Sequence, residues 1–295
     1  MTVHRMPVVV GVDESDGADQ ALTWAAEEAR SRGVGLRLVC AYGGEFSYAG
    51  LTLFGNFPVP DLAGAGKATA DLLAKAAARV AERTPEVEVV TEAVEDDAAQ
   101  ALIEESANAS LMVLGSRHRG GTGSVVLGSV SSAVAAQAAC PVVVLRGPAG
   151  LAAEHAQVVV GVDGRPTSEK VLAFAFDYAS RHSAPLHAVL CWHPDRLAEM
   201  KWRAQQPAPA EAEAWLSEAL AGWRERYPDV TVHSGVERQH PVDALVEASN
   251  GQDLLVVGSR GRHGLTGAVL GSVSQGVLHH ANCPVAVLHS APGSD

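Results

Sequence analysis

Residues 258–274, GSRGRHGLTGAVLGSVS, leave the apolar run LLVV through a series of glycines and end in residues suited to starting a helix. The same passage, GSRHRGGTGSVVLGSVSS, begins at Gly115 directly after LMVL, 143 residues earlier. In the later copy Gly258 is followed after two residues by Gly261 and after nine more by Gly271 and Ser272. In the earlier copy the same positions hold Gly115, His118, Gly128 and Ser129. A strand, a glycine-rich turn and a helix start repeated at one offset imply one unit written twice.

The flanking segments repeat in the same order. PVVVGVDES opens one half and QVVVGVDGRPTSEK the other, which sets Asp13 opposite Asp163. Each Asp is followed by a helical run, ADQALTWAAEEARSRG or TSEKVLAFAFDYASRHS, and then by an apolar strand, LRLVCAY or LHAVLCW. After stretches that differ, VEVVTEA matches VTVHSGV, and each half closes on CPVVVLR or CPVAVLH. Near-continuous apolar strands alternating with helices predict a parallel sheet covered on both faces. The expected fold is therefore α/β: two tandem open, mostly parallel five-stranded sheets in the order 3-2-1-4-5. Residues 1–147 form the first domain, 148–156 a linker and 157–295 the second.

Composition narrows the function classes. A chain of 295 residues with 47% hydrophobic content can fill two ordinary cores. The 34 acidic and 22 basic side chains leave a net charge of -12, which argues against a nucleic-acid backbone as the main partner. No apolar run has the length of a membrane span and no secretory signal is recognisable, so a cytoplasmic location is expected. The four cysteines, Cys40, Cys140, Cys191 and Cys283, are too sparse for a disulfide framework and lack CxxC spacing. Cys140 and Cys283 stand at matching places before a Pro and read as small buried hydrophobes.

In an open parallel sheet, ligands settle beyond the carboxyl ends of the strands where the strand order reverses. Both recurrent features fall there. The unpaired N–H groups of the helices starting at Gly128-Ser129 and Gly271-Ser272 suit phosphate oxygens. The competing reading makes these glycines loop formers and the serines helix caps. Asp13 and Asp163 suit ribose hydroxyls, or Mg2+ as a second option, against the alternative of an Asx turn or an N-cap. Adenine would lie over apolar backbone near the end of the second strand, close to Ala41 and Tyr42 or Cys191 and Trp192, where the two aromatics either stack on it or complete the core. Neither segment carries the Lys of a P-loop, strand 1 lacks a GxGxxG, and no catalytic residue or metal-ligand set is assigned.

These motifs resemble the universal stress protein family in its tandem form and ATP-binding branch, over nearly the whole chain. The resemblance implies that Asp163 contacts ribose, that Gly258, Gly261, Gly271, Ser272 and Val273 line ribose and phosphates, and that Leu190 or Cys191 offers adenine backbone hydrogen bonds. In the first half it gives these roles to Asp13, Gly115, Gly128, Ser129 and Val130, with Val39 or Cys40 near adenine. His118 departs from the pattern, since it stands where the second half has Gly261. The implied function is an ATP-binding regulator of stress response or growth that acts through a protein partner, with Mg2+ and weak hydrolysis at most; a homodimer of the whole chain is a separate expectation. A nucleotide-independent scaffold and an ATP-consuming enzyme are the alternatives.

Overall fold

The computed structural model describes residues 5–44, 61–118, 125–146, 156–163, 168–191, 209–259 and 270–289. The chain divides into two compact units, Met1–Leu145 and Arg146–Asp295.

Among the described residues the first unit runs β1 (Val8–Gly11), α1 (Asp16–Arg32), β2 (Leu36–Gly43), α2 (Leu62–Arg83), β3 (Val89–Asp96), α3 (Ala98–Glu105) and β4 (Leu111–Gly115). A two-residue antiparallel ribbon follows, β5 (Arg117–His118) with β6 (Val125–Val126), then α4 (Ser129–Gln137) and β7 (Val142–Leu145). The second unit runs β8 (Val158–Val162), α5 (Ser168–His182), β9 (Leu186–Cys191), α6 (Pro209–Arg226), β10 (Val232–Glu237), α7 (Pro241–Ala248), β11 (Leu254–Gly258), α8 (Ser272–His280) and β12 (Val285–Leu288).

Strand order is β3-β2-β1-β4-β7 in the first unit and β10-β9-β8-β11-β12 in the second, every pair parallel. With the ribbon set aside, each is the expected 3-2-1-4-5 order with helices on both faces. In the first unit α1 packs beside α2 and α3 beside α4, and in the second α5 pairs with α6 and α7 with α8.

Burial explains the unbroken apolar runs. Val8–Val10, Leu111–Val113 and Val142–Val144 are fully buried, as are Val158–Val160, Leu254–Val256 and Val285–Val287. A strand covered on both faces has no solvent side on which to alternate. Outer strand β3 alternates between exposed and half-buried residues from Thr91 to Asp96, and Val90 before them is 47% exposed. On α1, Ala18, Ala21, Leu22, Ala25, Ala26 and Ala29 form a buried stripe at helical spacing, small enough to bring the axis close to β1 and β4. Ser15 caps its start by accepting from the Ala18 N–H at 3.2 Å, and Asp16 and Arg32 complement its dipole.

Helices α1 and α5 end alike but on different residues. Gly33 closes α1 at φ 63°, with Val34 N–H donating to the Ala29 carbonyl at 3.1 Å. Ser183 closes α5 at φ 53°, with Ala184 N–H donating to the Ala179 carbonyl at 2.9 Å. This is the left-handed helix cap that glycine adopts without steric cost. Ser183→Gly is expected to stabilise the second unit by about 1 kcal/mol, read as a raised urea midpoint at unchanged slope.

The outer strand pairs differ in chemistry. Arg37 on β2 pairs with Glu92 on β3 at 3.2 Å and with Glu105 at the end of α3 at 3.1 Å. Its counterpart by register is His187 on β9, which faces His233 across the β9–β10 pair. Burial first, and His233 second, hold the His187 imidazole below its ordinary value against the opposing pull of Glu237. The folded unit therefore favours neutral His187, and the unfolded chain binds more protons. This contribution is present above the unfolded imidazole value of about 6.5 and is lost as pH falls through the lower folded value. Amides of β9 and β10 should exchange faster relative to those of β2 and β3 at pH 5 than at pH 7.5, after correction for intrinsic rates.

Candidate functional site

Strand β1 lies between β2 and β4, so the order reverses beside it, and β8 stands likewise between β9 and β11. The chain leaves β1 on the way to α1 and leaves β4 on the way to α4, which brings two loop starts and two helix starts to one end of each sheet.

Asp13, just beyond β1, is held by the residue two places on. Ser15 donates its N–H to Asp13 Oδ1 at 2.9 Å and its hydroxyl to the same oxygen at 2.5 Å. The Asx turn weighed against a ligand role is therefore present, while the helix cap is Ser15. Asp163 Oδ1 accepts the Ser168 hydroxyl at 2.7 Å, from the first residue of α5.

The second strand outruns the first. Pairing of β1 with β2 ends at Gly11 and Val39, and Val12 donates its N–H to the Val39 carbonyl at 2.8 Å. Pairing of β2 with β3 continues to Gly43 and Asp96. Backbone groups of successive strand residues point to opposite sides, so Ala41 is the next residue facing the β1 side, beyond the last β1 partner. In the second unit β8 pairs with β9 through Val162 and Leu190, and the counterpart of Ala41 is Cys191. Register thus matches Leu190 and Cys191 to Cys40 and Ala41. Val39 lies one position back with its carbonyl engaged in the sheet, whereas Ala41, expected beside adenine with Tyr42, lies beyond the last β1 partner. Tyr42 turns toward α2, where a Cβ added at Gly66 would come within 3.2 Å of its ring. It completes helix-to-strand packing, while Trp192 lies outside the described residues.

Both glycine segments deliver a helix start without a side-chain cap. Gly128 sits at φ -73° and ψ 159°, Gly271 at φ -65° and ψ 157°, angles open to any residue. The glycines are not there for a left-handed turn. They leave the first-turn N–H groups, including those of Ser129 and Val130 or Ser272 and Val273, without a capping side chain. The second serine of each GSVS pins the helix start. Ser131 donates its hydroxyl to the Gly115 carbonyl at 2.9 Å, and Ser274 to the Ser259 carbonyl at 3.0 Å. Gly271 N–H also donates to the Ser259 carbonyl, at 2.7 Å. Their sequence signal was the repeated GSVS, of which only the first serine drew attention.

Gly115 has a packing reason to be glycine. A Cβ there would strike the Gly17 backbone, and a Cβ on Gly17 would strike the Ser116 carbonyl. This mutual approach closes α1 onto the end of β4. Gly258 ends β11 in register with Leu288. His118 sits in the ribbon opposite Val125, and Gly261 lies outside the described residues.

Thiol chemistry has little foothold here. Burial, then Asp13, raises the Cys40 thiol. Burial pushes Cys140 up to about 12 and Cys283 up to about 11, so both stay protonated at neutral pH and pack as small apolar groups. Among the described residues no group of three His, Cys, Asp or Glu side chains is placed to hold a metal ion, and no helix is long and apolar enough to cross a membrane.

The sequence pattern of the Universal stress protein family matches residues 4–146 and 155–289. Universal stress protein Rv2005c of Mycobacterium tuberculosis is 39% identical over 287 residues, covering 95% of this chain and 96% of that one. Universal stress protein Rv2623 of the same organism is 36% identical over 290 residues, with 95% of each chain covered. A universal stress protein from Archaeoglobus fulgidus has a similar fold, with a TM-score of 0.68 over 97% of this chain and 99% of that one at 18% identity.

The glycine contact yields a prediction independent of any ligand. Gly17→Ala should destabilise the first unit by about 3 kcal/mol, because the obstructing atoms are backbone and cannot rotate away. Ala at Gly222, where a Cβ meets nothing within 4 Å, is the control, and chemical denaturation compares them.

Proposed function

The chain belongs to the universal stress protein family, and we propose that it is a regulatory member that binds ATP with Mg2+ and hydrolyses it slowly or not at all. One observation carries this reading. In each unit a helix start without a side-chain cap and a carboxylate pinned by a serine lie at the same end of the sheet.

The parts of a nucleotide each meet fitting chemistry. Phosphate oxygens would accept from the N–H groups at the starts of α4 and α8 and from the hydroxyls of Ser129 and Ser272. Ribose hydroxyls would donate to Asp13 or Asp163. Adenine would meet backbone groups beyond the ends of β1 and β8, at Ala41 and Cys191, flanked by Val39, Cys40 and Leu190. Gly258 and Gly261, with Gly115 and His118 in the first unit, would border ribose and phosphates. Mg2+ would enter with the triphosphate and offset its charge near the aspartates. The chain's own residues bind and orient, and no general base is assigned. The proposed partners beyond the nucleotide are a second copy of the chain, testable by light scattering, and a regulatory protein.

Calorimetry of the full chain with ATP, GTP and cyclic AMP tests the reading, with ATP expected to bind most tightly. Asp163→Ala should weaken the second site ten- to hundredfold, the loss of charge-assisted hydrogen bonds of about 1.5–3 kcal/mol. Gly271→Val should weaken it by obstructing the phosphate cradle. Absence of binding at millimolar nucleotide would favour the scaffold instead, and release of many phosphates per second would favour an enzyme.

A further inference from the structure

Resting on that nucleotide-binding reading, we propose that Ser168 and Ser15 are positioning residues that aim the Asp163 and Asp13 carboxylates at the vicinal hydroxyls of a ribose, and so set the preference for ribose over dideoxyribose.

The two serines do not occupy equivalent positions. The registers Val8 with Leu36 and Val158 with Leu186 relate the starts of the units by 150 residues, which places Arg165 opposite Ser15 and Ala18 opposite Ser168. Ser15 reaches Asp13 from two residues on, and Ser168 reaches Asp163 from five residues on. The hydroxyl-to-carboxylate bond is thus present in both units although the serine that makes it has changed place. A feature inherited passively through duplication would keep its position, whereas here only the bond is kept.

The physical effect is orientation. An Asp at a strand end has two side-chain torsions, and holding them for a ligand costs affinity unless the fold has already fixed them. A hydroxyl on Oδ1 fixes the carboxylate plane before a nucleotide arrives, and the carboxylate has lone pairs enough to accept further hydroxyls. In the first unit the Ser15 N–H adds a second donor on the same oxygen, at 2.9 Å.

The test compares ATP with 2′,3′-dideoxy-ATP, which lacks the hydroxyls in question. Calorimetry on the full chain reads the second site in an Asp13→Ala background and the first in an Asp163→Ala background. Ser168→Ala should weaken ATP about fivefold, roughly the worth of one oriented hydrogen bond, leave dideoxy-ATP unchanged, and be reversed by Ser168→Thr. Ser15→Gly, which retains the backbone donor and most of the helix cap, should likewise weaken ATP at the first site and leave dideoxy-ATP unchanged. Equal losses for both nucleotides would reduce Ser168 to a structural role and overturn the proposal, as would unchanged ATP affinity in Ser168→Ala. A wild-type chain that binds neither nucleotide would overturn the binding reading itself along with this one.

Discussion

A parallel strand buried on both faces can make its polar turns only at its ends, and the rest of each unit follows from how those ends are satisfied. With Val8–Val10 and Leu111–Val113 removed from water, β1 and β4 leave no room for a polar side chain along their length. The serines therefore gather just past the carboxyl ends. Ser116 donates to the Leu145 carbonyl at 2.6 Å, and Ser131 to the Gly115 carbonyl at 2.9 Å. Together with the Gly17 contact, these bonds lock α1, β4, β7 and α4 around one rim. Buried carbonyls that lost such donors would carry a desolvation penalty of about 1–3 kcal/mol each.

That rim explains how a helix start can stay open at small cost. A glycine N-cap gives up only a few tenths of a kcal/mol against serine, provided that water or a ligand can reach the first-turn N–H groups. Gly128 and Gly271 take this option, and Ser131 and Ser274 hold the helices in place from one turn inside. Anchoring and openness are thus assigned to different residues. A serine at the cap would supply an acceptor for the same N–H groups that the proposed phosphates need.

The strand order was legible because the apolar runs and the turn signals repeat together. Less legible was anything set by register or by close approach between distant segments. Val39 and Ala41 are two residues apart in similar apolar surroundings, and only the end of the β1 pairing at Gly11 separates an engaged carbonyl from backbone beyond the paired sheet. Gly115 was read as a ligand-side glycine because it opens the repeated motif. Its contact with Gly17 lies 98 residues away along the chain, and no local pattern announces it. Asp13 and Asp163 stand at matching positions in the sequence, but the serine bonded to Asp13 does not carry over to Asp163, because the second serine sits elsewhere.

The two units differ both along the outer strand pair and at the strand ends. Along the outer strand pair, one unit carries an arginine bridged to two glutamates, and the other carries His187 facing His233 and held below its ordinary value mainly by burial. At the strand ends the side chains also differ, serine for alanine in one place and arginine for serine in another, yet a hydroxyl still reaches each carboxylate and a second serine still ties each helix start. A hydroxyl on the carboxylate oxygen restrains its orientation, and that restraint is present in both units although the serine that supplies it has changed place.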